Sequence, residues 1–253
     1  MMDVKASVQR QFGNAAENYA VSAVHAQGAD LTRMVALAGL RGGETVLDAG
    51  CGAGHTALAF APHSAQVTAY DLTETMLAQV ERLANERGLT NIETRQGDVE
   101  ALPFEDAYFD LVVTRYSAHH WPNPTAALRE FRRVVRPNGR VLVSDIVAPE
   151  MPSADTFLQT IELLRDISHV RDHRVSEWLR MLADSGFTAE VAFQWRLPLA
   201  FEPWVERIGT PAPYVEILRR VMTDAPVEAR AHFEIQADFT FTLDGALLMA
   251  ALM

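Results

Sequence analysis

The stretch Val46-Leu47-Asp48-Ala49-Gly50-Cys51-Gly52-Ala53-Gly54 decides the fold of this chain. Val46 and Leu47 are typical of the end of a buried strand, and the residues from His55 onward are typical of a helix. The turn between them has glycines at alternate positions, where no Cβ keeps a ligand away. It leads into a helix N-terminus, whose unpaired N–H groups favour anionic or electron-rich atoms. The pattern predicts a nucleotide-type binding turn at the carboxyl end of a first strand.

Apolar and β-prone stretches alternate with helical patterns along the next hundred residues. This alternation predicts an α/β fold with a doubly wound, mostly parallel sheet and right-handed crossovers. The strands expected after the turn are 66–71, 91–96, 109–115, 140–147 and 187–195, with a closing strand or hairpin at 239–242 and 246–252. We expect one helix to end at 137–139, another to span 154–165, and a third to be capped by Ser176 and to run to Gly186.

Composition limits the classes of function that the chain can have. The chain has 253 residues and a net charge of −11, which works against binding a polyanion. Five arginines between 129 and 140 follow helical spacing and are expected to face solvent. The single cysteine excludes an internal disulfide and argues against enzymes that bind arsenite through several thiolates. We found no apolar run long enough for a membrane helix and no signal-peptide pattern, and we expect a cytoplasmic protein with no membrane insertion.

Two carboxylates follow the second and third expected strands. Asp71 lies some twenty residues beyond the glycine turn, where an acidic side chain accepts both hydroxyls of a ribose.

The glycines are spaced G-x-G-x-G, which differs from the G-x-G-x-x-G of dinucleotide enzymes. The stretch V-L-D-A-G-C-G-A-G resembles the first motif of class I S-adenosylmethionine (SAM) methyltransferases. The phrase A-L-P-F-E-D-A-Y-F-D-L-V at 101–112 is similar to that of the type 11, ubiquinone/menaquinone C-methyltransferase-like group.

Two further stretches, R-Y-S-A-H-H at 115–120 and L-R-D-I-S-H-V-R at 164–171, resemble the YcgJ-like methyltransferases. The resemblance covers nearly the whole chain and implies a class I fold with an antiparallel last strand. It implies that Gly50 meets the methionine end of SAM with help from Asp48, that Asp71 holds the ribose above Leu72, and that Asp98 and Val99 read the adenine. The expected cofactor-binding residues are Asp48, Gly50, Gly52, Gly54, Asp71, Leu72, Asp98, Val99, Arg115 and Tyr19.

The acceptor side is expected at the loop after the fourth strand and at an insertion after the fifth. Histidine is the side chain best suited to take a proton near neutral pH, and an acid from the insertion could hold its ring in one tautomer. We therefore predict catalytic roles for Tyr116, His119 and His120. The acceptor and lid residues expected from the insertion are Arg165, Asp166, His169 and Arg171. Arg165, Asp166 and Arg171 could instead pin the insertion by salt bridges, and His119 or His120 could only cap a loop.

The sequence predicts one domain, 1–253, with three additions to the methyltransferase fold. These are an N-terminal helical cap (1–40), a lid insertion (149–174) and a helical excursion (196–238). Tyr19 and His25 in the cap are candidate pocket residues, although the cap could equally consist of simple surface helices.

Methyl transfer from SAM to a small-molecule acceptor, with S-adenosylhomocysteine as product, is the function that these motifs favour. The alternatives are a nucleic-acid or protein methyltransferase and a SAM-binding regulator without catalysis. The charge of −11 and the absence of an Asn/Asp-Pro-Pro-aromatic motif count against nucleic acid. We expect no metal, because neighbouring His119 and His120 would point in different directions in an extended segment.

Overall fold

The computed structural model describes residues 3–21, 26 and 28–253. Seven strands form one sheet: β1 (Thr45–Ala49), β2 (Gln66–Asp71), β3 (Ile92–Gln96), β4 (Phe109–Arg115), β5 (Val135–Ile146), β6 (Phe187–Leu199) and β7 (Phe241–Leu252). Their order is β3-β2-β1-β4-β5-β7-β6. Strands β1 to β5 pair in parallel, and β7 is antiparallel to both β5 and β6. The predicted fold class, with an antiparallel last strand, is confirmed.

Helices cover both faces and the carboxyl edge of this sheet. They are α1 (Val4–Ala20), α2 (Ala29–Ala38), α3 (His55–Phe60), α4 (Glu74–Glu86), α5 (Pro124–Val134), α6 (Pro152–Arg165), α7 (Val175–Asp184), α8 (Phe201–Ile208), α9 (Ala212–Thr223) and α10 (Val227–His232). Two 3₁₀ turns, Ala61–His63 and Ala118–His120, complete the described elements.

Successive residues of β1 point to opposite faces, and each face has its own apolar core. Leu47 packs with Phe131 and Trp178 of α5 and α7, whereas Val46 packs with Met34 and Phe60 of α2 and α3. A third core joins α6 to α8, α9 and α10. A sheet buried on both faces explains why the central strands contain so few polar residues.

Several element boundaries differ from the sequence predictions. Helix α5 ends at Val134, because Val135 pairs with Phe109 and β5 continues through the stretch 137–139 that we expected to end the helix. The residue at the N-cap of α7 is Arg174, and the predicted cap Ser176 lies in the first turn and donates its hydroxyl to Glu150.

The two last strands are longer than expected. Strand β6 runs to Leu199, and β7 is one continuous strand because Leu243, Asp244 and Gly245 pair with β6 across the predicted gap. A Cβ on Gly245 would lie 2.2 Å from the indole of Trp195, so this close approach requires glycine.

The N-terminal helices lie against the carboxyl edge of the sheet. Gln9 of α1 donates to the carbonyl of Leu72 after β2, and Gln11 donates to the carbonyl of Ile208 at the end of α8. Among the described residues, none of the helices is long and apolar enough to cross a membrane. Residues of α1 and α6 line one cavity at the carboxyl edge, where open α/β sheets bind ligands.

Candidate active site

The glycine turn between β1 and α3 has the strained backbone that its sequence predicts. Gly50, Gly52 and Gly54 have φ of 72°, 51° and 87°, in the left-handed region that favours glycine. The N–H groups of Gly50 and Cys51 both donate to the carbonyl of Tyr70. Gly50 can therefore meet a ligand only through its carbonyl group. A Cβ on Gly52 would meet nothing within 4 Å, so the turn leaves open space at this position.

Asp71 ends β2 directly beside this turn. Its Oδ2 accepts from the N–H of Gly52 at 2.8 Å, and its Oδ1 accepts from the N–H of Thr73 at 2.8 Å. These two bonds fix the orientation of the carboxylate. Each carboxylate oxygen has a second lone pair, so Asp71 can still accept two hydroxyl groups from a ligand in the adjoining cleft.

A cleft opens beside the turn at the carboxyl edge of the sheet. Leu72, Asp98 and Val99 line it, as predicted, and Gly50, Gly52 and Asp71 lie on the same wall. Lys5 of α1 also reaches this cleft, where its Nζ lies 2.5 Å from Asp98 Oδ2 and 2.7 Å from Glu100 Oε2.

Asp48 does not line the cleft, in contrast to the prediction. Its side chain lies beneath the turn, is only 1% exposed, and accepts from the N–H of Ala57 in the first turn of α3. Burial raises the pKa of Asp48 to about 7, against the effect of this hydrogen bond. Asp48 therefore shapes the turn rather than contacting a ligand. Gly54 also serves the turn, because a Cβ there would lie 2.7 Å from Val80.

Arg115 and Tyr19 lie where the cleft continues past the glycine turn. Both line a smaller cavity together with Gly50 and Gly52. Arg115 forms a buried ion pair with Asp30 of α2, with Nε–Oδ2 and Nη2–Oδ1 distances of 2.5 Å and 3.1 Å. The carbonyl of Tyr19 accepts from His55 Nε2 at 2.9 Å. The second predicted cap residue, His25, lies outside the described residues.

Tyr116 stands between the cleft and a second cavity. Its φ of 51° is unusual for a residue with a side chain, and such strain is concentrated at functional sites. The second cavity, which we call the acceptor cavity, is also lined by His119, His120 and Arg165. Phe12, Tyr116 and His120 line both the cleft and the acceptor cavity, so these two spaces are adjacent.

His119 forms a short contact with a carboxylate that the sequence reasoning missed. Its Nδ1 donates to Asp145 Oδ1 at 2.7 Å, and Asp145 lies near the end of β5 rather than in the lid. The acid that holds the His119 ring therefore comes from the sheet, whereas we expected an acid from the lid. Burial disfavours the charged imidazole, but Asp145 outweighs it and raises the pKa of His119 to about 9. Without a ligand, His119 is cationic at neutral pH and cannot accept a proton there.

His120 differs from His119 in its protonation state. Its Nδ1 donates to the carbonyl of Ser168 at 3.1 Å, which leaves Nε2 as the proton-accepting nitrogen. Burial and the charge on His119 lower the pKa of His120 to about 4, so its ring is neutral at pH 7. The two rings lie 4.4 Å apart between centroids because residues 118–120 form a 3₁₀ turn. The extended segment on which we based the expectation of no metal is therefore not present.

Of the four predicted lid residues, only Arg165 lines the acceptor cavity. Asp166 accepts from the N–H and hydroxyl of Ser168 and holds the turn after α6. His169 packs behind His119, with ring centroids 5.8 Å apart, and Arg171 pairs with Asp155 at 2.9 Å. The structure therefore supports the alternative interpretation for Asp166 and Arg171, which hold the segment after α6 in place.

Sequence reasoning missed several residues of the two cavities. Asp145 carried a signal, since it is an acidic residue at the carboxyl end of an otherwise apolar strand. Asp30, Lys5, Asp172 and Arg207 carried none, because only the tertiary fold brings them to the site.

Comparisons with known proteins agree with this geometry. Residues 47–143, from β1 into β5, match a methyltransferase domain family of type 11. The uncharacterized protein YafE of Escherichia coli is 45% identical over 178 residues, which cover 70% of this chain and 86% of that protein. The ubiquinone/menaquinone biosynthesis C-methyltransferase UbiE of Cupriavidus taiwanensis is 41% identical over 113 residues, covering 43% of this chain and 46% of that protein.

The methyltransferase YcgJ of Bacillus subtilis is similar over most of its length. It is 39% identical over 222 residues, which cover 88% of each chain. Its crystal structure superposes with a TM-score of 0.85 and covers 87% of this chain and 96% of that one. The resemblance expected from the motifs is confirmed. The chain belongs to the SAM-dependent methyltransferases, in the type 11 family that includes YcgJ.

Proposed function

We propose that this enzyme transfers a methyl group from SAM to a small molecule bound in the acceptor cavity. The observation that carries the proposal is the adjacency of two spaces, one with the donors and acceptors of a nucleoside site and one lined by ionisable side chains. Phe12, Tyr116 and His120 form their common wall. A donor in the first space and an acceptor in the second would therefore meet at this wall.

The residues that line the cleft fit SAM in their chemistry. Asp71 would accept from the ribose hydroxyls, the Asp98 carboxylate and the Val99 backbone would bind the adenine edge, and Leu72 would pack on its ring. The Gly50 carbonyl would accept from the ammonium group of the methionine end. Lys5 closes the cleft by pairing with Asp98, so this end of α1 would adjust when adenine binds.

Bound SAM supplies a methyl group that is already activated for transfer. The task of the protein is therefore to orient the acceptor and to exclude water, which can lower a barrier by roughly 7 kcal/mol or more. The guanidinium of Arg165 would bind acceptor oxygens. The neutral His120, with Nε2 as its proton-accepting nitrogen, is the better base where the acceptor must lose a proton.

A small molecule is favoured over a macromolecule by the acceptor cavity, which lies between the cap, the lid and α8. The relative UbiE carries the name of a quinone-biosynthesis enzyme, which agrees with a small acceptor. The net charge of −11 favours neither RNA nor DNA as a partner. A cytoplasmic location and a single domain with cap, lid and excursion stay predictions.

Isothermal titration calorimetry with SAM and S-adenosylhomocysteine tests the cofactor half of the proposal. We expect the wild type to bind both ligands and Asp71→Ala to bind both more weakly, by about tenfold to a hundredfold, because charge-assisted hydrogen bonds to the ribose are lost. Asp184→Ala, at the exposed end of α7, is the matched control and should bind like the wild type. Equal affinity of Asp71→Ala and Asp184→Ala, or no binding by the wild type, would contradict the proposal.

A further inference from the structure

Three metal-ligand side chains meet at the edge of the acceptor cavity. His119 comes from the 3₁₀ turn after β4, Asp145 from the end of β5 and Asp172 from the lid. One ligand atom from each lies within 4.8 Å of the other two. Three separate segments of the chain thus deliver an imidazole and two carboxylates to one point.

Asp145 is held rigidly at this point. Its Oδ2 accepts from the N–H of Ala118 at 3.0 Å, and its Oδ1 accepts from the N–H of Ile146 at 2.9 Å as well as from His119. Its position is therefore fixed by the backbone on both sides, as in a preorganised ligand.

Asp172 differs from Asp145 in the hydrogen bonding of its carboxylate. The residue is only 2% exposed, and within residues 3–21, 26 and 28–253 its Oδ2 has no hydrogen-bond partner. His169 Nε2 lies 3.8 Å from this oxygen, beyond hydrogen-bond distance, and burial lowers the pKa of His169, so its ring is neutral at pH 7. Gln159 holds the backbone of Asp172 by its N–H and its carbonyl, which keeps the side chain aimed at the cavity. A buried oxygen without a partner is costly, so a ligand at this point would stabilise the protein.

The group is open on one side only. His119 and Asp172 both line the acceptor cavity, whereas Asp145 lies behind them. A cation held by the three residues would therefore keep its remaining coordination positions towards the acceptor. The neighbouring cation, Arg165, is engaged with Glu162 at 3.2 Å and with the carbonyl of Trp204 at 3.1 Å.

We propose that His119, Asp145 and Asp172 bind one divalent transition-metal ion at the edge of the acceptor cavity, and that His119 releases one ring proton to solvent when the ion binds. A donor set of one imidazole and two carboxylates suits Mn²⁺, Fe²⁺ or Zn²⁺ better than Mg²⁺ or Ca²⁺, which prefer oxygen ligands alone. The ion would hold an acceptor through its oxygen atoms, for example a vicinal diol, a hydroxy acid or a phosphate. This last role rests on the proposed function, whereas the binding of the metal does not.

The test is a titration of tag-free, chelator-treated protein with Mn²⁺, followed by the electron paramagnetic resonance signal of the free ion and without SAM. We expect one bound Mn²⁺ per chain in the wild type and at least roughly tenfold weaker binding by Asp172→Asn. The amide has the same shape as the carboxylate, so the variant should stay folded, which circular dichroism checks. Asp184→Asn is the control and should bind Mn²⁺ like the wild type.

Two outcomes would overturn the proposal: no stoichiometric Mn²⁺ binding by the wild type, or equal affinity of Asp172→Asn and Asp184→Asn. Cobalt substitution gives a second measurement that does not depend on the stability of a variant. Visible d–d absorption of the wild type with Co²⁺ supports a protein-bound metal, and a spectrum identical to that of Co²⁺ in buffer counts against it.

Titration of the same preparations with S-adenosylhomocysteine separates the two proposals. A protein that binds S-adenosylhomocysteine but no metal contradicts the metal site alone. A protein that binds Mn²⁺ but no S-adenosylhomocysteine contradicts the proposed function alone.

Discussion

At the scale of single residues, the binding turn requires glycine at positions 50 and 52 for different reasons. A Cβ on Gly50 would lie 2.0 Å from Ser117 Oγ, so folding itself requires glycine there. A Cβ on Gly52 would extend into open space on the wall of the cleft, where we place the cofactor. Gly50 and Gly52 both have positive φ. A side chain at Gly52 is expected to weaken ligand binding, whereas a side chain at Gly50 is expected to disrupt packing.

Gly52→Ala should therefore fold and bind S-adenosylhomocysteine at least roughly tenfold more weakly, while losing about 1–2 kcal/mol of stability to backbone strain. Gly88→Ala is the matched control, because Gly88 also has positive φ and open space around it but lies away from the cleft. Calorimetry and urea unfolding measure both effects. Similar ligand affinity of the two variants would be inconsistent with a cofactor beside Gly52.

Residues close to the glycine turn could be predicted, and those brought in from afar could not. Asp71 could be predicted as a ribose-binding residue from its spacing after the turn. A second strand of normal length ends at this position, where the ribose is expected. Asp48 has the same proximity in sequence, but alternation along β1 turns its side chain into the protein. Asp145 and Asp172 reach His119 through strand order and the path of the lid, which no local pattern encodes.

At the scale of elements, one buried ion pair connects the N-terminal cap to the sheet. Asp30 of α2 pairs with Arg115 at the end of β4, and both side chains are 2% exposed. Ser144 Oγ lies 3.4 Å from the same carboxylate. Removing the carboxylate would leave a charged guanidinium in a buried site, which is far more destabilising than the loss of an exposed pair.

Asp30→Ala should lower the free energy of unfolding by about 3–5 kcal/mol, measured by urea denaturation at neutral pH. Asp30→Asn keeps part of the hydrogen bonding and should lose less. Asp184→Ala, on the surface, should lie within about 0.5 kcal/mol of the wild type. A loss for Asp30→Ala no larger than that of the control would mean that this pair does not anchor the cap.

The strands at the centre of the sheet were easier to predict than those at its edge. Strand β4 is buried at six of its seven positions and begins and ends where its sequence indicates. Strands β6 and β7 pair with each other beyond the apolar stretch, through residues such as Arg196 and Asp244, which face each other in the ladder. Their extra length comes from this mutual pairing rather than from hydrophobic patterning, so sequence alone underestimates it.

At the scale of the whole molecule, the chain order determines where chemistry can occur. Strands β1, β2 and β3 lead to the glycine turn, to Asp71 and to Asp98, where we place the adenine. These groups lie at one half of the carboxyl edge. Strands β4 and β5 deliver Tyr116, His119 and Asp145 to the other half. Residues of α1, α6 and α8 line the acceptor cavity between the two halves, where we propose that a cofactor and an acceptor meet.

A crystal structure with S-adenosylhomocysteine tests this arrangement most directly. We expect the ribose hydroxyls within hydrogen-bond distance of Asp71, the adenine at Asp98 and Val99, and the sulfur on the side of Tyr116 that faces the acceptor cavity. The central claim would be contradicted by a ribose that contacts residues other than Asp71, or by a sulfur that faces away from the cavity lined by His119 and His120.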